Sequence, residues 1–294
     1  MIGASFLFAV MGVCVKLASS QYGAGEMVMY RSLVGLLMMM VVLRSRGVSW
    51  RSPVPAMHFR RSVTGVTALC LWFYAIGKLP LATAMTLNYM SSVWIALFLI
   101  GGAVLLAPEH GGHGQIDARL VAAVLTGFAG VALVLRPTID QDQLWHGLVG
   151  LGSGLIAAMA YLQVTALGRI GEPGERVVLY FAITGVLFGA AIALVSGGLT
   201  AHSLRGLALL GAIGVLATLG QWMMTQAYAT GATLGIAALQ YLGIVFSFLF
   251  GMLIFDEQLT VLSATGLALI IAAGVAATLL RARPRTDRAA PTES

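Results

Sequence analysis

The sequence predicts an all-α membrane protein: ten transmembrane helices arranged as two inverted five-helix repeats. Three observations carry that expectation. Composition leaves too little charge for a water-facing surface, apolar stretches of spanning length follow one another with short connections, and the two halves of the chain echo each other.

Composition sets the class. Of 294 residues, 59% are hydrophobic and only 10% are charged, with a mean hydropathy of +0.92. A soluble domain carries about 25% charged residues, and hydrocarbon demands no such covering. One span takes roughly 20 residues, so ten would consume nearly the whole chain and leave no room for a soluble domain. The net charge of +6 and pI of about 9.7 raise the question of nucleic acid. The excess instead gathers in the connections of one membrane face, so membrane lipid is the expected contact and nucleic acid is not. Cys14 and Cys70 both fall inside apolar spans and read as small buried hydrophobes, not as a disulfide framework. No cleavable signal peptide is expected, because the first span begins at once without a basic leader.

Apolar stretches bounded by charge, Gly or Pro give approximate spans at 2–19, 25–43, 61–78, 81–106, 118–136, 146–168, 176–197, 204–228, 231–255 and 260–280. Lys and Arg orient them. With the N-terminus inside, twelve basic residues (Arg44, Arg46, Arg51, Arg60, Arg61, Arg119, Arg169, Arg176, Arg281, Arg283, Arg285 and Arg288) fall in inner segments, against three (Lys78, Arg136 and Arg205) in outer ones. Both termini are therefore expected in the cytoplasm. The basic tail 282–294 is expected to be unfolded against anionic lipid.

The repeat follows from internal echoes. Gly25-Glu26 with Val28-Met29-Tyr30 recurs as Gly174-Glu175 with Val177-Val178-Leu179-Tyr180, and Leu87-Asn88-Tyr89-Met90 recurs 152 residues later as Leu239-Gln240-Tyr241-Leu242. Gly130-Val131-Ala132 recurs as Gly274-Val275-Ala276. The halves are taken as 1–137 and 146–281. Each holds five spans, an odd number, so the second copy sits upside down relative to the first. Secondary transporters use this geometry to open one site to either side in turn.

Site candidates are polar and aromatic groups at depths where lipid-facing helices would have none. Asn88-Tyr89 and Gln240-Tyr241 lead, at equivalent places in the fourth and ninth spans. Their amides need partners in hydrocarbon, which are either each other, a neighbouring helix or a ligand. Trp72, Tyr74, Gln221, Trp222 and Gln226 join them from the third and eighth spans. Tyr161 and Gln163 point to opposite sides of the sixth span, so at most one lines the site. Lys16 and Arg31 are the basic residues placed within spans. Lys16 either snorkels or meets an anionic group, and Arg31 either braces its helix against Glu26 or touches substrate. Carboxylates sit only at span ends, so proton coupling is not supported.

Other motifs fail on context. His110 and His113 lie on a Gly-rich loop without the helix a metal site needs. Asp140 and Asp142 lack the remainder of a calcium loop. Gly150-Leu-Gly-Ser-Gly154 is inside an apolar span and reads as a close helix contact, as does the Gly185/Gly189 pair. No metal, cofactor or catalytic residue is expected. A lipid-modifying enzyme would need a clustered nucleophile and base.

Further stretches are Tyr30-Arg31-Ser32 early in the second span, Trp72-Phe73-Tyr74-Ala75 through Leu79-Pro80-Leu81-Ala82-Thr83-Ala84, Gly127-Phe128-Ala129-Gly130-Val131 leading to Leu135-Arg136-Pro137, and Asp256-Glu257 closing the ninth span. In these the chain resembles the drug/metabolite transporter superfamily in its EamA-type branch. The resemblance implies ten helices, a central cavity and small-metabolite transport that is often export, with a bacterial inner membrane as the location. Amino acids or related amphipathic compounds are the leading substrate class, and import or exchange of a vitamin or nucleotide-like compound is the alternative. The family often carries Pro in the fourth and ninth spans. This chain has Ser92 and Ile244 there, so its sequence gives no reason for a helix break at mid-membrane.

Overall fold

The computed structural model describes residues 1–105, 141–231, 239–258 and 260–281, together with 119, 122, 125–127, 129, 130, 133 and 236. Among these residues the regular structure is helical throughout. The elements are α1 (Ile2–Ala18), α2 (Ala24–Ser45), α3 (Pro55–Lys78), α4 (Leu81–Tyr89), α5 (Ser91–Leu105), α6 (Gln141–Arg169), α7 (Gly174–Val195), α8 (Leu204–Thr230), α9 (Leu242–Phe255) and α10 (Val261–Arg281). Helical residues between 119 and 133 mark part of the expected fifth span, while the His110/His113 loop, Asp140 and the tail 282–294 lie outside the described residues.

Ala24–Ser45, Leu144–Arg169, Gly174–Val195 and Leu204–Thr230 are long and apolar enough to cross a membrane. Their outer surfaces present Leu37, Val41, Leu187, Leu194 and Val195. So much exposed hydrocarbon on neighbouring helices would be an aggregation surface in water and is an ordinary lipid face in a bilayer. The chain is an integral membrane protein.

Local chemistry sets the helix ends. Pro55 opens α3, where its fixed φ suits a first helical turn. The Ser203 side chain caps α8 by accepting from Gly206 N at 3.0 Å. Asp256, at φ 50°, ends α9 in the left-handed region, which Asp tolerates better than most residues. That turn carries Glu257 back toward α1 and α4.

Two interruptions differ from expectation. The fourth span is not one helix: α4 stops at Tyr89, Met90 intervenes, and Val93 N bonds Met90 O at 2.9 Å in a tighter i−3 pattern. The same happens before α9, where Gly243 N bonds Gln240 O at 2.8 Å and Ile244 N bonds Tyr241 O at 3.0 Å. Proline is not the cause. Each interruption falls directly after or within a buried amide–tyrosine pair, and a local switch to 3₁₀ bonding lets the helix turn there.

Helices of the first half pack chiefly on helices of the second. The principal pairs are α2 with α7 and α8, α3 with α6 and α7, α1 with α8 and α9, α4 with α6 and α9, and α5 with α6 and α10. Small residues permit the closest crossings. A Cβ on Gly154 would sit 2.6 Å from Leu87 O and 2.8 Å from Asn88 O, and one on Gly189 would sit 2.8 Å from Gly25 O. The glycine-rich stretch in α6 and the pair in α7 are therefore close helix contacts, as their spacing suggests.

Candidate substrate site

A cavity of about 50 Å³ lies at the centre, where α1, α2, α3, α4, α6, α7 and α8 converge. It has room for a few waters, whereas small-molecule pockets run to about 300–1,000 Å³. A metabolite could enter only with the helices moved apart.

Six of the residues expected from the sequence line this space: Trp72, Asn88, Tyr89, Tyr161, Gln221 and Gln240. Asn88 and Gln240 do not bond each other. Asn88 Nδ2 donates to Ser153 Oγ at 3.0 Å. Gln240 Nε2 donates to Tyr228 Oη at 2.9 Å, and its Oε1 accepts from Ser91 Oγ at 3.5 Å. Each amide thus takes partners from packed helices, with Tyr228 stacked on Tyr161 at 5.1 Å between ring centres. Trp72 Nε1 and Tyr89 Oη are buried with no hydrogen-bond partner among the described residues.

Five expected residues stand away from the cavity. Lys16 is engaged at one end of the bundle. Its Nζ donates to Glu257 Oε1 at 2.5 Å and to Leu79 O at 2.9 Å, and Glu257 also accepts from Leu81 N at 2.8 and 3.0 Å. That carboxylate answers both a cation and the exposed N–H at the start of α4. Tyr74 Oη pairs with His146 Nδ1 at 3.0 Å. Trp222 packs beside Met39, Leu43, Val178 and Leu179, with the Arg46 guanidinium 5.6 Å from its ring centre. Gln226 lies against Gly174, and Tyr241 is buried outside the cavity wall. Successive helical positions point about 100° apart, so Gln221 faces inward while Trp222 faces a neighbouring packing cluster.

Arg61 is what the sequence reading misses. Arg61, assigned to an inner connection, is 2% exposed and lines the cavity, because α3 begins at Pro55, six residues earlier than expected. Arg31, 4% exposed, lines it as well. Arg31 is not braced against Glu26, which accepts instead from Thr200 N at 3.2 Å and Thr200 Oγ1 at 2.9 Å. Both guanidinium carbons lie near the Phe181 ring centre, at 5.1 Å for Arg31 and 4.6 Å for Arg61. Arg31 Nη2 makes one long bond, 3.5 Å, to Gln221 Oε1. A Cβ on Gly65, one turn beyond Arg61, would run into Arg61 Nη1 and come within 2.9 Å of Phe181 Cε2. The missing side chain is what lets Arg61 fold over its own helix toward the ring. An Arg followed four residues later by Gly was the available signal.

Charge at one end of the bundle, beyond the apolar spans, is closely paired. Glu172, between α6 and α7, accepts from Ser52 Oγ at 2.9 Å and Arg176 Nη1 at 2.8 Å, and pairs with His58 Nε2 at 3.2 Å. Burial alone would raise its pKa, but these partners together hold the carboxyl below its usual value. Beside it, Arg46 Nη1 donates to Glu175 Oε1 at 2.6 Å.

Comparison with known proteins gives the family. Residues 1–136 match the EamA-like transporter family. The chain is similar to the pseudopaline exporter CntI of Pseudomonas aeruginosa, 32% identical over 274 residues that cover 93% of this chain and 92% of that protein. It is also similar to a riboflavin transporter of Vibrio cholerae, 24% identical over 87% of this chain and 83% of that one. A solved structure described as a crystal structure of a protein shares the fold, with a TM-score of 0.68 at 20% identity, covering 96% of this chain and 98% of that one. The chain therefore belongs to the EamA-like transporter family, within the drug/metabolite transporter superfamily.

Proposed function

We propose that this protein carries small metabolites across a bacterial inner membrane by alternating access, with substrate held in the central cavity between two inverted five-helix halves, 1–137 and 146–281. It acts as a transporter and not as an enzyme, and export of amino acids or related amphipathic compounds is the leading reading. The observation that carries it is a polar, aromatic-lined cavity walled by both halves of a member of this family.

The packing supports the inverted repeat. Exchanging spans one to five for six to ten turns the α1–α8 contact into α6–α3 and the α2–α8 contact into α7–α3. It maps the α2–α7 contact onto itself, and likewise the contact of the fourth span with the ninth made by α4 and α9. The ends follow the same exchange: Glu26 in the first turn of α2 binds the segment after α7, and Glu175 in the first turn of α7 binds Arg46 just after α2. The interruptions at Met90 and at Gln240–Tyr241 are also equivalent under it, and they are the places where the cavity walls would flex.

On this reading both termini are cytoplasmic. Moving Arg61 into the bundle leaves eleven basic residues on that face against three on the other. The similarity to the riboflavin transporter favours a second reading, import or exchange of a vitamin-like compound. The test is metabolite profiling of medium and cytoplasm from cells with and without the protein. Enrichment of a compound class in the medium is expected. Identical profiles would refute transport, and selective accumulation inside would favour the second reading.

A further inference from the structure

We infer that the transported molecule is a net anion, a small organic acid whose carboxylates are received by Arg31 and Arg61. The inference rests on the transport reading above and names the substrate class of that same cavity.

Two cations stand in one buried place. Their guanidinium carbons flank a single ring, so they lie within about 10 Å of each other. Among the described residues, neither has a carboxylate within ion-pair distance, since the four ion pairs formed there all lie elsewhere. Among the same residues, Arg31 Nε and Arg61 Nε and Nη1 have no hydrogen-bond partner. A guanidinium has five N–H donors in a fork shaped for carboxylate, and here those on Arg31 Nε and on Arg61 Nε and Nη1 are unused among the described residues. Phe181 offers a π face to both, but one quadrupole does not neutralise two buried charges.

The same lining argues against a neutral compound or a zwitterion with no net charge, which narrows the amino-acid reading to its acidic members. Among the described residues no Asp or Glu borders the cavity, so a substrate ammonium would meet aromatic faces and amide oxygens while two cations repelled it. A neutral heterocycle would leave both guanidiniums uncompensated. An acid with one or two carboxylates answers the donors, and its apolar portion would lie against Trp72 and Tyr89. Gly65 fits this assignment, because its lack of a side chain is what admits the Arg61 guanidinium to the wall.

The test uses the full chain in lipid nanodiscs. Thermal unfolding is followed with succinate against its uncharged diamide, and with glutamate against glutamine, at ionic strength matched by sodium chloride. At tenfold excess over its dissociation constant, an acid should raise Tm by roughly 3 °C, and its amide should not. Arg31→Gln and Arg61→Gln should lose the shift, Arg61→Lys should keep part of it, and Arg60→Gln, exposed on the same helix, should keep all of it. Acids no better than sodium chloride, or equally effective on the Arg31→Gln/Arg61→Gln double variant, would overturn the inference. Where a variant does not assemble, the acid-against-amide comparison on the unaltered protein decides. Transport is read separately from the metabolite profiles. Neutral or cationic compounds exported would refute the anion assignment and leave transport standing. Acid binding with unchanged profiles would do the reverse.

Discussion

At the ends of the bundle each buried carboxylate described has a cation or a hydroxyl within reach, whereas the two guanidiniums at its centre share one aromatic ring. Glu172 has three partners, Glu175 has Arg46, and Glu26 has Thr200. The chain is therefore able to pair its charges, and among the described residues the same fold leaves the centre without an ion pair. Paired charge at the ends holds loops and helix termini together. Unpaired charge in the middle has a large desolvation cost, which a ligand present only part of the time would offset.

The comparison breaks first at Glu172. Replacing it with Ala strands His58, which is fully buried, and Arg176, which is partly buried. Removing one member of a buried ionic network costs about 3–5 kcal/mol, so unfolding in detergent should register a loss of that order. A loss under about 1 kcal/mol would mean that the ends are no better satisfied than the centre.

A smaller effect appears on acidification. The folded pKa of Glu172 is depressed, so its contribution is fully present above the ordinary carboxylate range and is lost as pH falls through the folded value. Thermal stability should decline below about pH 4.5, and Glu172→Gln should flatten that part of the profile. An identical acid limb in the variant would assign the decline to other carboxylates.

How much of this was legible beforehand depends on where each residue lies. The membrane class and most helix positions follow from hydropathy, because lipid accepts only satisfied backbone and apolar surface. The interruptions at Met90 and Gln240 were not readable, since without proline nothing local demands them. Asn88 and Gln240 were found as buried amides, but their partners, Ser153 and Tyr228, are set by packing between helices distant in sequence or across a turn. Lys16 and Trp222 misled because depth along a span says nothing about which way a side chain faces. Arg61 was hidden by Arg60. Two adjacent arginines at the edge of an apolar run look like one interfacial anchor, yet Arg60 is exposed and Arg61 is buried.

Arg61→Gln has the smallest expected effect on stability, and its sign separates the two regions. A structural arginine, paired like Arg46 or Arg176, would lower stability when neutralised. Among the described residues Arg61 has no ion pair, and its cation–π contact with Phe181 is worth about 2 kcal/mol when desolvated and is shared here with Arg31. Against it stands a desolvation penalty of several kcal/mol per ion. The substrate-free variant should therefore unfold at the same temperature as the parent or slightly above it, a gain on the order of 1 kcal/mol, and the double variant with Arg31→Gln should gain again. Function and stability would then move in opposite directions at the centre and together at the ends. That is the pattern expected where strain is kept for a ligand. A clear drop in the melting temperature of properly assembled Arg61→Gln would instead make the arginine a structural element, no different from the paired charges at the ends.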